Sequence, residues 1–245
     1  MVRFFVTFVI IFHVSISHIM AQTEIKSVEI IYGKRLDINN LKSDVKPEIK
    51  KARTKVNKMI SDLNYILRCD GNESIFYYEE SLVNDANKGM RRLITKGGAD
   101  GTFYNSKNQK LLQLEFSGEP FLIDLSNDKI TWKITDETKK IRGYTCYKAT
   151  ANVVYENKVI NKKTTLKYMA WFTKEIPFQY GPIGLNGLPG LILEATKNGS
   201  LFFYAREIRL NKKVKIKKPS KGIRISHQDF EKMIEEKLQG LFGKK

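Results

Sequence analysis

Alternating apolar and polar residues dominate the middle of the chain. Leu112, Leu114 and Phe116 would share one face of an extended segment, with Gln113 on the other face. A second alternation runs from Tyr147 to Val153 and again has one apolar and one polar side. Both patterns are typical of half-buried strands in an antiparallel sheet.

Further strands follow from shorter apolar segments separated by Gly, Asn, Asp and Pro. The connections are short, which favours antiparallel neighbours over parallel crossovers. A sheet of many strands also tends to curl. We therefore predict a mainly β fold with a single antiparallel, strongly curved sheet, open and half-barrel-like. The additional predicted strands are Glu24 to Tyr32, Leu63 to Arg68, Ser74 to Glu79, Gly101 to Asn105, Phe121 to Leu125, Ile130 to Thr135, Thr164 to Thr173, Leu191 to Ala195 and Leu201 to Arg209.

Helical patterns are confined to the flanks of this sheet. Pro47 is suited to the first turn of a helix that would continue to about Ile60. Ser226 is a good N-cap for a C-terminal helix. That helix would bury an apolar stripe made of Phe230, Met233, Ile234, Leu238 and Leu241.

The N-terminus has the pattern of a secretory signal peptide. Arg3 precedes an apolar run from Phe4 to Phe12, and we place cleavage after Ala21. The run has about 9 residues, fewer than the roughly 20 that a membrane-spanning helix needs. We expect a protein exported through this peptide to the periplasm, the outer surface or the medium, and not an integral membrane protein.

These patterns divide the chain into four parts. Residues 1–21 are the predicted signal peptide, and residues 22–210 the antiparallel β domain. Residues 211–225 are predicted to be a basic linker, and residues 226–241 the C-terminal helix.

The chain is strongly basic, with 43 Lys and Arg against 26 Asp and Glu, a formal net charge of +17. The cations concentrate in two stretches, Lys42 to Lys58 and Lys212 to Arg224. An anionic surface is the partner that such stretches would attract. The alternative is a face and a linker kept soluble by charge, and the second stretch is interpreted first as a linker. Nucleic acid is not expected as a partner of an exported protein.

Few residues are available for nucleophilic or metal chemistry. Beyond the signal peptide the sequence has one histidine, His227, which we expect to be solvated in the first turn of the C-terminal helix. We predict no metal site and no cofactor. Cys69 and Cys146 could form a disulfide in an oxidising compartment, or each could be a small buried apolar residue.

Glycines recur at every third position from Gly181 to Gly190. The repeat is too short for a collagen triple helix and indicates an extended, closely packed backbone. Pro189 and Gly190 also suit the two central positions of a type II turn. Neither a Walker sequence nor a dinucleotide-binding pattern is present here.

The segment Gly187-Leu188-Pro189-Gly190-Leu191-Ile192 resembles the signature of the GLPGLI family of exported bacterial proteins. The similarity is strong over about residues 110–210. It includes segments around Trp132, Cys146 and Trp171 in the order that the family shows. The family has no established activity, so the resemblance implies a compartment and a domain identity rather than a chemistry.

Together these features predict an exported, non-enzymatic envelope protein that binds an apolar ligand or an envelope protein. One alternative is a structural or assembly protein that presents a strand edge to a partner. Another is an enzyme that uses the carboxylates Asp136, Glu137, Glu175 and Glu194. The candidate binding residues are Trp171, Phe172, Gly187, Leu188, Pro189, Gly190 and Leu191, and Phe202 and Tyr204 are aromatic residues of the same region.

Overall fold

The computed structural model of the protein describes residues 24–37, 46–80, 101–157 and 162–242. These residues form twelve strands and two α-helices. The predicted signal peptide and part of the first basic stretch lie outside the described residues. The elements are β1 (Val28–Leu36), α1 (Pro47–Ile60), β2 (Tyr65–Cys69), β3 (Glu73–Tyr78), β4 (Thr102–Ser106), β5 (Lys110–Phe116), β6 (Glu119–Asp124), β7 (Lys133–Ile141), β8 (Tyr144–Asn157), β9 (Lys162–Thr173), β10 (Leu191–Lys197), β11 (Leu201–Leu210), β12 (Ile223–Ser226) and α2 (His227–Phe242).

All twelve strands belong to one open sheet, in the order β12-β6-β5-β4-β3-β2-β1-β11-β10-β9-β8-β7. Hairpins connect most neighbours, which confirms a mainly β fold with a C-terminal helix. The prediction of a purely antiparallel sheet is wrong, because β12 pairs with β6 in parallel. The chain reaches β12 from β11, across several strands, so the hairpin geometry that enforces antiparallel pairing does not apply there.

Both helices begin where the sequence predicts. Pro47 opens α1, whose Asn57 side chain bonds both the N–H and the C=O of Leu36 and so fixes the helix to the end of β1. The Ser226 hydroxyl accepts the Asp229 N–H and caps α2. Phe230 of α2 packs on Phe121 and Ile123 of β6, which confirms the buried side of the predicted stripe. No helix of the described residues is long and apolar enough to cross a membrane.

Two large apolar clusters hold the centre of the molecule together. The first is built around Tyr32, Tyr65, Phe76 and Phe203, whose rings are in stacked or edge-to-face contact. The second contains Phe172, Leu185, Leu188 and Ile192. The irregular segment between β9 and β10, residues 174–190, contributes side chains to both clusters, so it is part of the core rather than a surface loop.

Residues 211–222, which we call the strap, connect β11 to β12 across one side of the sheet. The strap begins at Asn211, whose backbone N–H bonds Ser27 and whose side chain bonds Lys26. It ends at Gly222, where a Cβ atom would lie 2.9 Å from the backbone of Pro120 and Phe121. The segment predicted as a linker is therefore held at both ends, and its last residues form β12.

Candidate functional site

The glycine-rich signature is a packed corner of the core. Leu188 and Leu191 are fully buried, in different clusters, while Pro189 is exposed. At Gly190 a Cβ atom would lie 2.0 Å from the Thr173 carbonyl oxygen, so only glycine permits this approach of two backbones. The signature is explained by packing.

The predicted type II turn does not form at this corner. The Gly190 N–H donates to the Leu188 carbonyl, a tighter turn centred on Pro189, and the Leu191 N–H donates to Ile176 instead. Gly190 has φ near +151°, far from the value that a type II turn needs. The reason is that Ile176, in the irregular segment, competes for the N–H that would close the turn.

Trp171 and Phe172 face opposite sides of β9, as successive strand residues do. Trp171 belongs to the first apolar cluster and Phe172 to the second. Neither lines an apolar cavity with the leucines of the signature. The structure therefore does not bring the predicted binding residues together at one surface.

Glu194 lies between two aromatic residues that the sequence analysis named, Trp171 and Tyr204. Its direct neighbours on the adjoining strands are Trp171 of β9 and Tyr204 of β11. The carboxylate is almost buried and accepts Lys139 Nζ at 2.8 Å and Arg35 Nη2 at 3.1 Å. A carboxylate that contacts two cations in this way fixes both of them in place.

The same cations lie over aromatic rings. Lys139 Nζ is 4.4 Å from the centre of the Trp171 ring, and the Arg35 guanidinium carbon is 4.6 Å from the Phe202 ring. Arg206 lies 5.9 Å from the Tyr204 ring. We call this group, Lys139, Trp171, Glu194, Arg35, Phe202, Tyr204 and Arg206, the cation–aromatic ladder.

Gly33 explains why the ladder is so closely packed on β1. A Cβ atom at this position would lie 2.4 Å from Arg206 Nε and 2.7 Å from the Tyr204 ring. The missing side chain makes room for the ring to lie across the strand. A glycine inside a strand often marks such a close approach, so Gly33 is a sequence signal that could have indicated it.

A second buried carboxylate, Glu29, lies on the same side of β1 as Gly33 and Arg35, which we call the polar face of the sheet. It accepts Arg68 Nε at 2.8 Å, Arg209 Nη1 at 2.9 Å and Lys212 Nζ at 2.7 Å. These hydrogen bonds outweigh the effect of burial and lower the pKa of Glu29 to about 2. Through Lys212, Glu29 ties the start of the strap to the sheet.

The strap follows a row of directly opposed residues on the polar face. Beneath it, Ile216 packs on Tyr104, Leu111 and Leu122, and the Gln113 side chain donates to the Lys221 carbonyl at 2.7 Å. The row, one residue per strand, is Arg209, Glu29, Arg68, Ile75, Tyr104, Leu111, Asp124 and Ser226.

An open cleft of about 310 Å³ lies between β5, β6 and β12, the strand that directly follows the strap. Its charged groups are Asp124 and Arg224, and two leucines form part of its wall. Hydrogen bonds from Ser126 hold the pKa of Asp124 below its ordinary value, so this carboxylate is ionised at neutral pH. The cleft is lined by Gln109, Leu111, Leu122, Asp124, Arg224, Ile225 and Ser226.

The remaining carboxylates proposed for catalysis are separated. Glu137 pairs with Lys148 at the exposed β7–β8 edge, and Glu175 accepts the Thr145 N–H at 2.8 Å. Asp136 is exposed. Within residues 24–37, 46–80, 101–157 and 162–242, no group of three His, Cys, Asp or Glu residues could hold a metal ion.

Cys69 and Cys146 are both fully buried in the first apolar cluster, and the structure holds them as free thiols. Burial raises the pKa of the Cys146 thiol to about 11 and that of Cys69 further still. Both cysteines occupy the positions of small apolar residues in this structure.

His227 lies partly exposed in the first turn of α2, and two carboxylates also engage its ring. Its Nδ1 lies 2.7 Å from Asp128 Oδ2 and its Nε2 lies 3.3 Å from Glu231 Oε1. These two carboxylates raise the pKa of His227 to about 9. The protonated ring therefore ties the first turn of α2 to the segment after β6.

A family model described as "N-glycanase peptide, N-terminal domain" matches residues 101–231, more than half of the chain. The solved structure of PNGF-II in a C2 crystal form is similar with a TM-score of 0.52 and 17% identity, over 85% of this chain and 32% of the PNGF-II chain. A P21 form of PNGF-II gives a TM-score of 0.50 and 16% identity, over 85% and 33% of the two chains. A comparison with curated protein sequences finds no match.

The chain thus spans about a third of the length of the PNGF-II chains that it matches. At this level of identity the likeness concerns the fold alone. The family description differs from the GLPGLI resemblance, which stays a prediction.

Proposed function

We propose a function from the premise that this chain belongs to the N-glycanase peptide, N-terminal domain family. In this proposal the protein is exported and non-enzymatic, and it binds a partner in the cell envelope at the polar face of its sheet. The GLPGLI resemblance supports the envelope as its compartment, and the signal-peptide pattern of residues 1–21 supports export.

The proposal includes a strongly curved, half-barrel-like sheet, because twelve twisted strands curl rather than stay flat. An apolar ligand would need space against the apolar side of such a sheet. The candidate binding residues instead fill the two apolar clusters. The first cluster contains Trp171 and Leu191, and the second contains Phe172 and Leu188. This favours a partner bound at the surface over an enclosed apolar ligand.

The observation that carries the proposal is the cation–aromatic ladder. Glu194 holds Arg35 and Lys139 in place over aromatic rings, and both cations keep more than a third of their side-chain surface exposed. Cations fixed in this way can bind an acidic group of a partner without first losing conformational freedom. The net charge of +17 adds long-range attraction for an anionic partner.

A carboxylate enzyme is the weaker alternative, since Glu194 is engaged by two cations and Glu137 by Lys148. A strand-edge assembly protein is also less well supported. The edge strand β7 carries Lys133, Lys139 and Lys140 and has an irregular pairing with β8, features that discourage the addition of another strand.

Three measurements on the full chain test the proposal. Mass spectrometry of protein purified from native envelopes should find no bound lipid, and incubation with an N-glycosylated glycopeptide should release no glycan. The mature N-terminus should begin near residue 22. Stoichiometric lipid, released glycan or a retained leader in the cytoplasm would each overturn the corresponding part of the proposal.

A further inference from the structure

The strap displays a row of cations that the fold itself does not use. Lys213, Lys215 and Lys217 are exposed, while Ile216, between the last two, packs on the sheet. With Lys218 and Lys221 these side chains make no ion pair with the part of the chain that the structure describes. Only Lys212 is engaged, by Glu29.

The exposed lysines of the strap lie in a row across the sheet. The strap crosses from β11 to β6, six strand spacings or roughly 29 Å, with twelve residues that could reach roughly 40 Å if fully extended. Alternate residues of the strap therefore advance by about 5 Å on average. The array therefore matches a linear chain that carries an anionic group at similar intervals.

The residues at the two ends of the strap argue against a lipid membrane as its binding partner. Leu210 and Ile223 are the exposed aliphatic residues at its two ends. Leu210 is opposed to Val28 and Ile223 to Phe121, so both face the side away from Glu29 and Asp124. The cationic array thus has no adjacent apolar residue that would insert between lipids.

The cleft at the end of the strap indicates the chemistry of the chain that would lie there. Asp124, Ser226 and Gln109 offer hydrogen bonds, Arg224 offers a cation, and Leu111 and Leu122 provide apolar contact. A sugar residue has this combination of hydroxyl groups and an apolar ring face. No aromatic side chain lines the cleft to stack on a base, as proteins that bind single-stranded nucleic acid require.

We propose that the strap and its terminal cleft bind a linear acidic polysaccharide, with charged groups along the lysines and one sugar residue in the cleft beside Arg224. The inference rests on the proposed binding function, because it names the class of partner for the polar face. It goes further in placing that partner on the strap.

The test measures binding of a sulfated polysaccharide, heparin, to the full chain over a range of salt concentrations. One variant replaces Lys213, Lys215, Lys217 and Lys221 by Gln. A matched control replaces Lys50, Lys51, Lys55 and Lys58, four exposed lysines of α1, and so changes the net charge equally. The strap variant should lose about 30-fold in affinity and reduce the salt slope by about 3, against less than about 3-fold for the control.

The cleft is tested by Arg224→Gln, with Arg142→Gln as a control at an exposed turn. Only Arg224→Gln should weaken binding of a short acidic oligosaccharide, by about 10-fold, as loss of one charged contact does. Equal losses in the strap and α1 variants would overturn the inference, as would equal affinity for phosphatidylglycerol vesicles or a single-stranded oligonucleotide. If the protein does not bind the polysaccharide but still meets the tests of the proposed function, only the polysaccharide inference is refuted.

Discussion

Two irregular segments lie against the sheet, and they differ in what faces the solvent. Residues 174–190 bury Ile176, Leu185 and Leu188 and end at Gly190, pressed against Thr173. The strap buries Pro219 and part of Ile216 and leaves its lysines exposed. The segment with the more distinctive sequence is thus structural, and the segment of lower complexity is the one that leaves charged side chains in solvent.

The largest expected loss of stability is in residues 174–190, the segment that packs into the core. Gly190→Ala should destabilise the fold by about 4 kcal/mol or more, because its Cβ would collide with the Thr173 carbonyl. Gly143→Ala, also at positive φ but with no neighbour within 4 Å, should cost only about 1 kcal/mol. Urea unfolding of both variants provides the comparison, and equal losses would show that the approach at Gly190 is unimportant.

The second largest loss of stability is expected at Glu29, which binds Lys212 at the start of the strap. Glu29→Gln should lower stability at neutral pH by about 3 kcal/mol, the equivalent of its pKa shift. Because the folded-state pKa of about 2 lies below the ordinary 4.5, this contribution is complete above pH 4.5 and is lost as the pH falls towards 2. Chemical unfolding from pH 7 to pH 2 should therefore show the two proteins converging, and a constant difference would contradict this role.

Loosening the middle of the strap should have a smaller effect. Ile216→Ser removes its contact with Tyr104, Leu111 and Leu122 and should cost about 2 kcal/mol. It should also speed tryptic cleavage at the strap lysines. Ile223→Ser, at a residue that is 52% exposed, should change stability by less than about 0.5 kcal/mol. If the first variant is cleaved no faster than the second, the strap is not held by Ile216.

The smallest effect concerns the helix beside the strap's far end. His227→Gln should cost less than about 1 kcal/mol, since the side chain is partly exposed and solvent screens its ion pairs. The folded-state pKa of about 9 lies above the ordinary 6.5, so the contribution is complete below pH 6.5 and disappears as the pH rises through 9. Thermal unfolding at pH 6 and pH 10 should show a difference only at the lower pH.

Much of the fold could be predicted because its signals are local. Leu112 and Leu114 alternate with polar residues, and Ser226 caps a helix whose Phe230, Met233 and Ile234 belong to an apolar cluster with β6. β12 was missed because the pattern of Ile223 to Ser226 is too short to distinguish from a linker. Its pairing partner, β6, lies about a hundred residues earlier in the sequence.

The site was harder to predict because it depends on long-range pairing. The sequence indicated Trp171 and Tyr204 for apolar binding and Glu194 for a carboxylate enzyme, so it did not join the three in one site. Their contact follows from the register of β9, β10 and β11, which sequence spacing does not reveal. Glu29 gave no signal at all, since an acidic residue in an apolar strand is normally interpreted as exposed.

The parallel pairing of β12 also has a consequence for the order in which the molecule is completed. β6 is synthesised about halfway along the chain, yet its outer backbone groups find their partners only when residues 223–226 have emerged. Until then β6 presents an open edge to any other nascent strand. Residues 223–226 thus cover the outer edge of β6, and a chain that ends before Ile223 is expected to aggregate.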